Sequence, residues 1–442
     1  MKQAEKHNNP WWWVPTLYFT EGIPYFLVNS MSVMLFAKMG VPNDQLSFFT
    51  TLLYFPWFLK GLWSPFVDIL RTKRWWIISM QILMTCLCIL LTVTLPHPSA
   101  ESIEAGTSVH LFRWTLVFFI ITAFASATHD IAADGYYMLA HDTKSQAGFI
   151  GIRSTFYRVS SIFAQGVLVY MAGYIENETK DIPYSWQLTL GATSVILLLV
   201  TLYHCFFLPK ATEDRPREVK DYAGALHELA DSFGTFFTKP GVILAVTFML
   251  LYRLSEGFMV KLSQPFMLAN RAISMNDKGQ YIGGGLGLNT DTVGLINGTA
   301  GVIALLLGGI LGGIFIARKG LKKSIWPMAA ALTLPSFVYC YLSMAQPESH
   351  WLIGTAICFE QFGYGFGFTA YMMYMMHFAE GPYKTAHYAI CTAFMALSMM
   401  IPGFVAGALQ MAVGHTTFFW IANACSITTF FVSYFVYKKL EN

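Results

Sequence analysis

Ionisable side chains interrupt several apolar segments that are long enough to cross a membrane. Glu21 lies in TLYFTEGIPYFLV, Lys60 in LLYFPWFLKGLWSPFV, and Asp130 and Asp134 in FASATHDIAADGYYML. A charge at the centre of a bilayer costs about 2.5–3.5 kcal/mol, so such residues are rarely retained for stability alone. In this setting they bind ions or polar solutes, carry protons, or pair with one another. The sequence therefore indicates a polar pathway through a membrane.

Two basic residues follow in the next apolar segment. Arg153 and Arg158 lie in GIRSTFYRVSSIF, which a short connection near residues 140–146 joins to the segment of Asp130 and Asp134. Helices joined so closely run antiparallel, and a constant rise per residue then places Asp134 level with Arg153, and Asp130 level with Arg158. We predict both ion pairs, either as a static brace or as a relay that breaks during a reaction cycle. Asp134 and Arg153 lie nearer the inner face, where a gate is expected.

Glu21 is the leading candidate for a proton carrier. It comes ten residues after Trp11, at the start of its segment, which places it about 15 Å deep on a helix. That depth is near the middle of a hydrocarbon core of about 30 Å. Burial favours the neutral carboxyl group, which can take up and release a proton. The alternative is a permanent ion pair with a buried cation such as Lys60, and Asp130 and Glu256 are the next candidates for proton coupling.

Several residues around these carboxylates are candidates for binding a substrate. Lys60 can neutralise an anionic group of the substrate, or it can form a salt bridge across the helix bundle. Arg158 is expected to lie deep in the pathway and to face the substrate. Tyr25 and Tyr157 lie close to the charges along their helices, where an aromatic ring can stack on a sugar.

A further group of charges lies in the second half of the chain. Arg253 and Glu256 are three residues apart in LLYRLSEGFMV, so on a helix they share a face and can pair. This spacing agrees with two interpretations. The two residues can neutralise each other's charge beside a water-filled cavity, or they can contact the substrate. Glu360, in ICFEQFGYG, is a candidate for substrate binding of the same kind.

Composition assigns the chain to the multi-span membrane proteins. Of its 442 residues, 55% are hydrophobic and 12% are charged, whereas soluble domains have about 25% charged residues. A span needs about 20 mostly apolar residues, and the first apolar segment has this length rather than that of a signal peptide. We predict an all-α protein with twelve transmembrane helices, at 11–36, 45–69, 75–96, 111–139, 147–174, 184–208, 241–269, 291–316, 324–345, 351–378, 385–411 and 415–437.

The distribution of positive charge predicts the orientation. If both termini are cytoplasmic, most of the 28 Lys and Arg residues fall on inner connections, as the positive-inside rule requires. The connection after span two carries Asp68, Arg71 and Arg74. These three residues are expected to form a gate that holds helices together on the inner face, whereas topology alone would explain the arginines but not the acid.

The longest predicted inner connection divides the chain into two halves. Residues 209–240 separate a six-helix bundle at 1–208 from another at 241–442. Apolar residues with helical spacing predict an amphipathic helix in this linker. It can lie on the membrane surface and tether the halves, or it can be a short coiled-coil face. The apolar residues are Val219, Tyr222, Leu226, Leu229, Phe233 and Phe236.

Several motifs resemble one group of transporters. Two sets of six spans around a long central connection resemble the major facilitator architecture. In span two, Pro56, Lys60, Trp63, Pro65 and Asp68 follow the pattern P-x3-K-x-L-W-x-P-x2-D, which resembles the AmpG-type muropeptide permeases and the related acetyl-coenzyme A transporters. Gly22-Ile23-Pro24, ATHDIAADGY at 127–136 and KTAHYAICTAFMALS at 384–398 resemble further stretches of that group.

The chain also departs from the group's pattern. Glu21 stands where the group has a small or neutral polar residue, and His129 stands where it has glutamine before the aspartate. The resemblance therefore gives no role for the charge of Glu21. Its role has to be inferred from its depth in the membrane.

We expect a secondary transporter of the bacterial inner membrane that imports a solute by proton symport and alternating access. The resemblance implies a muropeptide or a related amino-sugar oligosaccharide, and acyl-coenzyme A or another anionic metabolite is the alternative within this class. An intramembrane enzyme and a non-transporting receptor are rivals from other classes, and no hydrolase or metalloprotease motif is found. We expect no cofactor, no metal and no nucleic acid, and a monomer whose partners are an anionic small molecule, protons and the lipid bilayer.

Overall fold

The computed structural model describes residues 9–99, 101–102, 108–140, 143–215, 222–381 and 384–440. Within this part of the chain the structure consists of helices and one β-hairpin. The first half contains α1 (Val14–Phe26), α2 (Ser32–Lys38), α3 (Asn43–Leu52), α4 (Phe55–Leu70), α5 (Lys73–Thr94), α6 (Arg113–Ala140), α7 (Thr143–Ile162), α8 (Val169–Thr179) and α9 (Ile182–Phe207).

The second half follows a linker helix, α10 (Tyr222–Phe237). Its helices are α11 (Val242–Leu251), α12 (Leu254–Leu268), α13 (Thr290–Val293), α14 (Val302–Thr333), α15 (Val338–Ala345), α16 (His350–Ala379), α17 (Lys384–Ala424) and α18 (Ile427–Lys439). The hairpin pairs β1 (Ile273–Met275) with β2 (Tyr281–Gly283) in antiparallel register, with Ser274 opposite Ile282. The sequence analysis did not predict these two short strands.

All twelve predicted spans coincide with helical residues. Seven helical stretches in the described part of the chain are long and apolar enough to cross a membrane, and two of them, Thr290–Ala345 and Ala386–Lys439, each cover two predicted spans. These double stretches bend at Gly320 and Gly414, whose φ angles are 76° and 78°. Such angles favour glycine, and both glycines lie where the sequence predicts a connection between spans.

Three spans contain a π-helical segment that the sequence pattern did not predict. The segments are Leu27–Met31 between α1 and α2, Phe163–Leu168 between α7 and α8, and Gly294–Gly301 between α13 and α14. A π-helical turn shifts the helical register, so residues on either side of it no longer follow one 3.6-residue stripe. In the first two segments Ser30 Oγ donates to Gln165 Oε1 at 2.7 Å, which joins two neighbouring helices through polar groups.

The chain folds as two compact units. The N-terminal unit contains Met1–Leu35 and Leu53–His227, and the C-terminal unit contains Phe36–Leu52 and Glu228–Asn442. A cluster of buried side chains around Trp13, Tyr18 and Tyr136 forms a core in the first unit. In the second unit Phe248, Tyr252 and Tyr371 form the corresponding centre.

The predicted linker helix is present as α10. Val219 lies outside the described residues, and the side chains of Tyr222, Leu226 and Leu229 are likewise not described. Phe236 is fully buried in the core of the C-terminal unit, and Phe233 packs against the same core. The last turns of this helix are therefore held by protein contacts, and its predicted position on the membrane surface stays a prediction.

Candidate transport site

Three carboxylates from two helices converge in the N-terminal unit. Each carboxylate contributes one oxygen atom to a cluster in which all three oxygens lie within 4.8 Å of one another. The residues are Glu21, Asp130 and Asp134. Asp130 and Asp134 are one turn apart on α6 and thus share a face, while Glu21 reaches them from α1. Only Glu21 is buried, with 7% of its surface exposed. Its Oε2 atom is buried and has no hydrogen-bond partner within the described part of the chain.

Helix α1 carries Glu21 to this position because it packs directly against α7. A Cβ atom on Gly22 would lie 1.8 Å from Ser160 Oγ and 3.2 Å from the carbonyl oxygen of Tyr157. No side chain can be accommodated at that distance, so glycine is required for the two helices to approach. The Gly-Ile-Pro stretch singled out in the sequence therefore has a packing role beside the buried carboxylate.

Lys60 forms an ion pair with Asp130. Its Nζ atom contacts Asp130 Oδ2, and the side chains are 35% and 17% exposed. The sequence analysis predicted Arg158 as the partner of Asp130, and this was wrong, because the structure pairs Asp130 with Lys60 of α4. The Arg158 side chain is exposed. Equal depth on α6 and α7 does not determine the ion pair, because a third helix, α4, brings Lys60 to Asp130.

The predicted ion pair between Asp134 and Arg153 is present. Arg153 Nη2 lies 2.6 Å from Asp134 Oδ1, and Tyr18 OH donates to the same oxygen at 3.3 Å. The Arg153 guanidinium also lies over the Tyr18 ring, 4.5 Å from its centre, and 5.7 Å from the centre of the Tyr137 ring. Tyr18 therefore takes part in the charge cluster, a role that the sequence analysis did not assign to it.

Aromatic side chains form a group next to the carboxylates. Tyr25 OH lies 3.3 Å from Tyr54 OH, and the Tyr25 ring packs edge-on against Trp57 at 5.1 Å and lies 6.2 Å from the ring of Tyr157. The predicted candidates Tyr25 and Tyr157 are thus brought together. Tyr54 and Trp57 were missed, although both precede Lys60 on or beside α4. We call Tyr25, Tyr54, Trp57 and Tyr157 the aromatic group.

A buried chain of polar side chains lies behind the carboxylates. Gln81 Nε2 is 3.0 Å from His129 Nε2 and 2.9 Å from His204 Nδ1, and Thr16 Oγ1 is 2.9 Å from His204 Nε2. The neighbouring residues His129 and Asp130 have different partners, because His129 contacts Gln81 whereas Asp130 contacts Lys60. Gln81 and His204 were missed, although a polar residue in an apolar span is the signal that could have found them.

Arg74 has a different environment from the one that the gate hypothesis assumed. Its Nε and Nη2 atoms donate to the carbonyl oxygens of Leu208 and Cys205, at 2.9 and 2.8 Å, so it binds the carboxyl end of α9. Asp214 accepts from the backbone N–H groups of Lys73 and Arg74 at 2.7 and 2.9 Å and caps the start of α5. These contacts satisfy helix ends that would otherwise be unpaired.

The structure shows fewer contacts for the other two predicted gate residues, Arg71 and Asp68. Arg71 is exposed, and its guanidinium lies 5.8 Å from the centre of the Trp75 ring. The Asp68 side chain lies outside the part of the chain that the structure describes. A gate formed by Asp68, Arg71 and Arg74 therefore stays a prediction, and the contacts of Arg74 alone are those of a structural residue.

The C-terminal unit contains a second charged site. The predicted pair of Arg253 and Glu256 is present and bidentate, with Nε–Oε2 and Nη2–Oε1 distances of 2.7 and 2.5 Å. Arg253 also donates to Tyr364 OH at 2.9 Å and lies 4.6 Å from the centre of the Phe368 ring. Glu360 is 9% exposed, and its Oε2 accepts from Gln361 Nε2 at 2.9 Å.

Both sites place charges where a polar solute or an ion can be bound inside a helical membrane protein. The sites hold buried or half-buried carboxylates, paired cations and hydroxyl-bearing aromatic rings. The three carboxylates of the N-terminal unit are close enough together to hold a metal ion, but two of them are already bound by a lysine and an arginine. Lys60 and Arg153 therefore occupy part of the coordination space that a metal ion would need.

Comparison with known proteins agrees with this arrangement. Residues 16–379 match the model of the Major Facilitator Superfamily. The chain is 23% identical over 418 residues to the anhydromuropeptide permease of Escherichia coli strain K12, covering 93% of this chain and 76% of that protein.

Solved transporter structures share the fold. The structure of a D-xylose–proton symporter aligns with a TM-score of 0.68 and 12% identity over 95% of each chain. A point mutant of the nucleoside transporter NupG aligns with a TM-score of 0.67 and 12% identity, covering 95% of this chain and 98% of that one. This chain belongs to the Major Facilitator Superfamily, and it is a multi-span membrane transporter rather than an enzyme.

Proposed function

We propose that this chain is a proton-coupled importer of the bacterial inner membrane that carries a muropeptide or a related amino-sugar oligosaccharide by alternating access. The proposal of proton coupling rests on Glu21. Its Oε2 atom is buried and has no hydrogen-bond partner within the described residues. Asp130 and Asp134 each have a cationic partner, whereas Glu21 has none among the described residues.

Protonation of Glu21 can control the neighbouring ion pairs. An ionised carboxylate in this position is desolvated and lies beside two other acids, so its neutral form is favoured. Loss of the proton adds a negative charge close to Asp130 and Asp134, and this charge competes for Lys60 and Arg153. A proton on Glu21 therefore favours the closed pairs, and its release loosens them. In this scheme Asp130 takes part in coupling, and Asp134 with Arg153 forms the gate.

The surroundings of the carboxylates are suited to a glycan that carries carboxyl groups. The aromatic group offers ring faces for sugars and three tyrosine hydroxyls for hydrogen bonds, two of which, those of Tyr25 and Tyr54, lie 3.3 Å apart. Lys60 is 35% exposed and Arg158 is exposed, so both can reach an anionic group of a ligand. A muropeptide combines sugar rings with carboxylates, and a relative that covers most of this chain is named an anhydromuropeptide permease.

The proposal also assigns roles to the charged residues of the C-terminal unit. Arg253 and Glu360 contribute to substrate binding, and Glu256 modulates the charge of Arg253 through their bidentate pair. The termini are proposed to be cytoplasmic, with Arg71, Arg74 and Asp68 on the inner side. The protein is proposed to act as a monomer.

Uptake into proteoliposomes tests this function. Purified protein is reconstituted, and accumulation of labelled anhydromuropeptide is measured with an imposed inward pH gradient, without one, and with a protonophore. We expect accumulation only with the intact gradient, and competition by excess unlabelled muropeptide but not by acyl-coenzyme A. Uptake that ignores the gradient would exclude symport, and competition by acyl-coenzyme A alone would favour the anionic-metabolite alternative.

A further inference from the structure

A buried lysine of the C-terminal unit, Lys261, takes no part in the charged sites described above. It lies on α12, five residues after Glu256, and only 7% of its surface is exposed. Five residues turn a helix by about 140°, so Lys261 points away from the face that carries Glu256. A buried ammonium group is costly in a membrane protein, and its presence calls for a specific partner.

No acidic side chain in the described part of the chain pairs with Lys261. Glu256 is already held by Arg253 through two hydrogen bonds of 2.7 and 2.5 Å. On the neighbouring helix α3, Asp44 lies six residues before Thr50, about 9 Å along the helix axis. The third helix at this place, α17, contains no aspartate or glutamate. The described residues therefore leave the charge of this lysine unbalanced.

Two hydroxyl groups of α3 lie close to this lysine, and they differ in what they offer. Thr50 Oγ1 donates its proton to the carbonyl oxygen of Leu46 at 2.9 Å, so it can only accept from Lys261 Nζ, which is 3.5 Å away. Thr51 Oγ1 is buried and has no hydrogen-bond partner within the described residues. The hydroxyl proton of Thr51 and the remaining N–H groups of Lys261 are therefore available as donors.

A glycine of α17 brings these two donors to one place. A Cβ atom on Gly403 would lie 2.5 Å from Thr51 Oγ1 and 3.4 Å from Lys261 Cε. Both side chains thus border the bare backbone of Gly403, and a side chain at this position would displace the Thr51 hydroxyl. Donors without acceptors around a positive charge form an arrangement that binds an anion through charge-assisted hydrogen bonds.

We propose that Lys261 and Thr51 bind an anionic group of the transported solute, which in a muropeptide is a carboxylate. This rests on the proposed function and adds to it a pair of residues that selects negatively charged solutes. Helices α3, α12 and α17 enclose the lysine in this conformation, and the solute reaches it when α3 moves away during alternating access. The ammonium group then exchanges a long hydroxyl contact for an ionic one.

Thermal unfolding of purified full-length protein without solute is the first test. Lys261→Met removes the charge and keeps the length of the side chain. Because this charge has no counter-charge before the solute binds, the variant should melt at the wild-type temperature or above it. Lys278→Met is the matched control, since Lys278 is an exposed lysine of the same unit, and it should melt as the wild type does. A lower melting temperature for Lys261→Met alone would identify the lysine as a structural residue and overturn the proposal.

Calorimetric binding of two forms of one solute is the second test. The probes are anhydromuropeptide with free carboxyl groups and the same compound with its carboxyl groups amidated. Wild type and Lys278→Met should bind the free form at least tenfold more tightly than the amidated form. Lys261→Met should bind both forms equally, and Thr51→Val should discriminate less than the wild type. Undiminished discrimination by Lys261→Met would refute the anion site.

A failure of the proposed function gives a different pattern. If wild-type protein binds neither form of the muropeptide, that compound is not the solute, and acetyl-coenzyme A becomes the probe. Its affinity should then be at least tenfold lower in Lys261→Met and unchanged in Lys278→Met. Equal affinity in these proteins, or no binding of either anion by the wild type, would overturn the anion site itself.

Discussion

Arg153 binds Asp134 through an Nη2–Oδ1 contact of 2.6 Å and at the same time covers the ring of Tyr18 at 4.5 Å. The three residues come from α7, α6 and α1, so one guanidinium joins three helices of the N-terminal unit. A planar guanidinium can form the ion pair and the stacking contact together, which an ammonium group cannot. The contact therefore restrains the helices that carry Glu21 and Asp130.

The first prediction concerns this contact. Arg153→Ala should lower the stability of the protein by about 1–3 kcal/mol, which is less than for a fully buried pair because both side chains are about one-third exposed. Arg153→Lys should have an intermediate effect, because it keeps the charge and loses the stacking. Thermal unfolding in detergent measures both. If Arg153→Ala and Asp134→Ala are fully additive in the double variant, the two side chains do not interact as described.

The second prediction concerns the approach of α1 to α7. Gly22→Ala places a Cβ atom 1.8 Å from Ser160 Oγ, so the helices must separate, at a cost of about 1–3 kcal/mol. Gly61→Ala is the matched control, because a Cβ atom there has no neighbour within 4 Å. Thermal unfolding and transport should both suffer in Gly22→Ala only. Partial recovery of stability by an added Ser160→Ala would support the contact, and equal behaviour of the two glycine variants would refute it.

The third prediction separates Arg74 from Arg71. Arg74→Ala removes charge-assisted hydrogen bonds to the carbonyl oxygens of Leu208 and Cys205 and should destabilise the protein by about 2 kcal/mol. Arg71→Ala should change stability little, because Arg71 is exposed. Melting curves of the purified variants provide the measurement. A stable Arg74→Ala protein that has lost transport would instead return Arg74 to the gate.

The helical architecture was largely predictable from the sequence. Apolar length identifies spans because backbone groups in lipid must be satisfied within helices, and glycines at Gly320 and Gly414 occur where spans turn. The π-helical segments were not predictable from hydrophobic spacing, since the inserted residue leaves the composition unchanged. The β-hairpin at Ile273–Gly283 was missed because two strands of three residues have no distinct pattern.

The charge pairs were only partly predictable. Asp134 and Arg153 could be matched because a short connection fixes the relative depth of α6 and α7. The Lys60–Asp130 pair could not, because depth says nothing about which way a side chain points or which non-consecutive helix lies next to it. The contacts of Arg74 could not be predicted, because its acceptors are backbone carbonyl oxygens, which have no signature in the sequence.

The fourth prediction concerns orientation. In a background without reactive cysteines, a cysteine at Asn177 should react with an impermeant reagent added outside intact cells. A cysteine at Lys322 should react only after the cells are made permeable, because positive charge marks the inner connections. Labelling of position 322 from outside, at the rate seen for position 177, would reverse the proposed topology.

The fifth prediction concerns coupling through Glu21. Glu21→Gln reproduces the shape and neutrality of the protonated carboxyl group but cannot release a proton. The variant should therefore still bind and exchange substrate, while substrate accumulation driven by a pH gradient should fall to the level of passive equilibration. Glu178→Gln, which removes an exposed carboxylate of the same unit, should transport as the wild type does.

The most direct test of the account is uptake by Glu21→Gln proteoliposomes with and without an imposed inward pH gradient, measured beside exchange of preloaded substrate. The account predicts intact exchange and no response of uptake to the gradient. Accumulation by Glu21→Gln in response to the gradient, at the wild-type level, would contradict the assignment of Glu21 as the coupling residue.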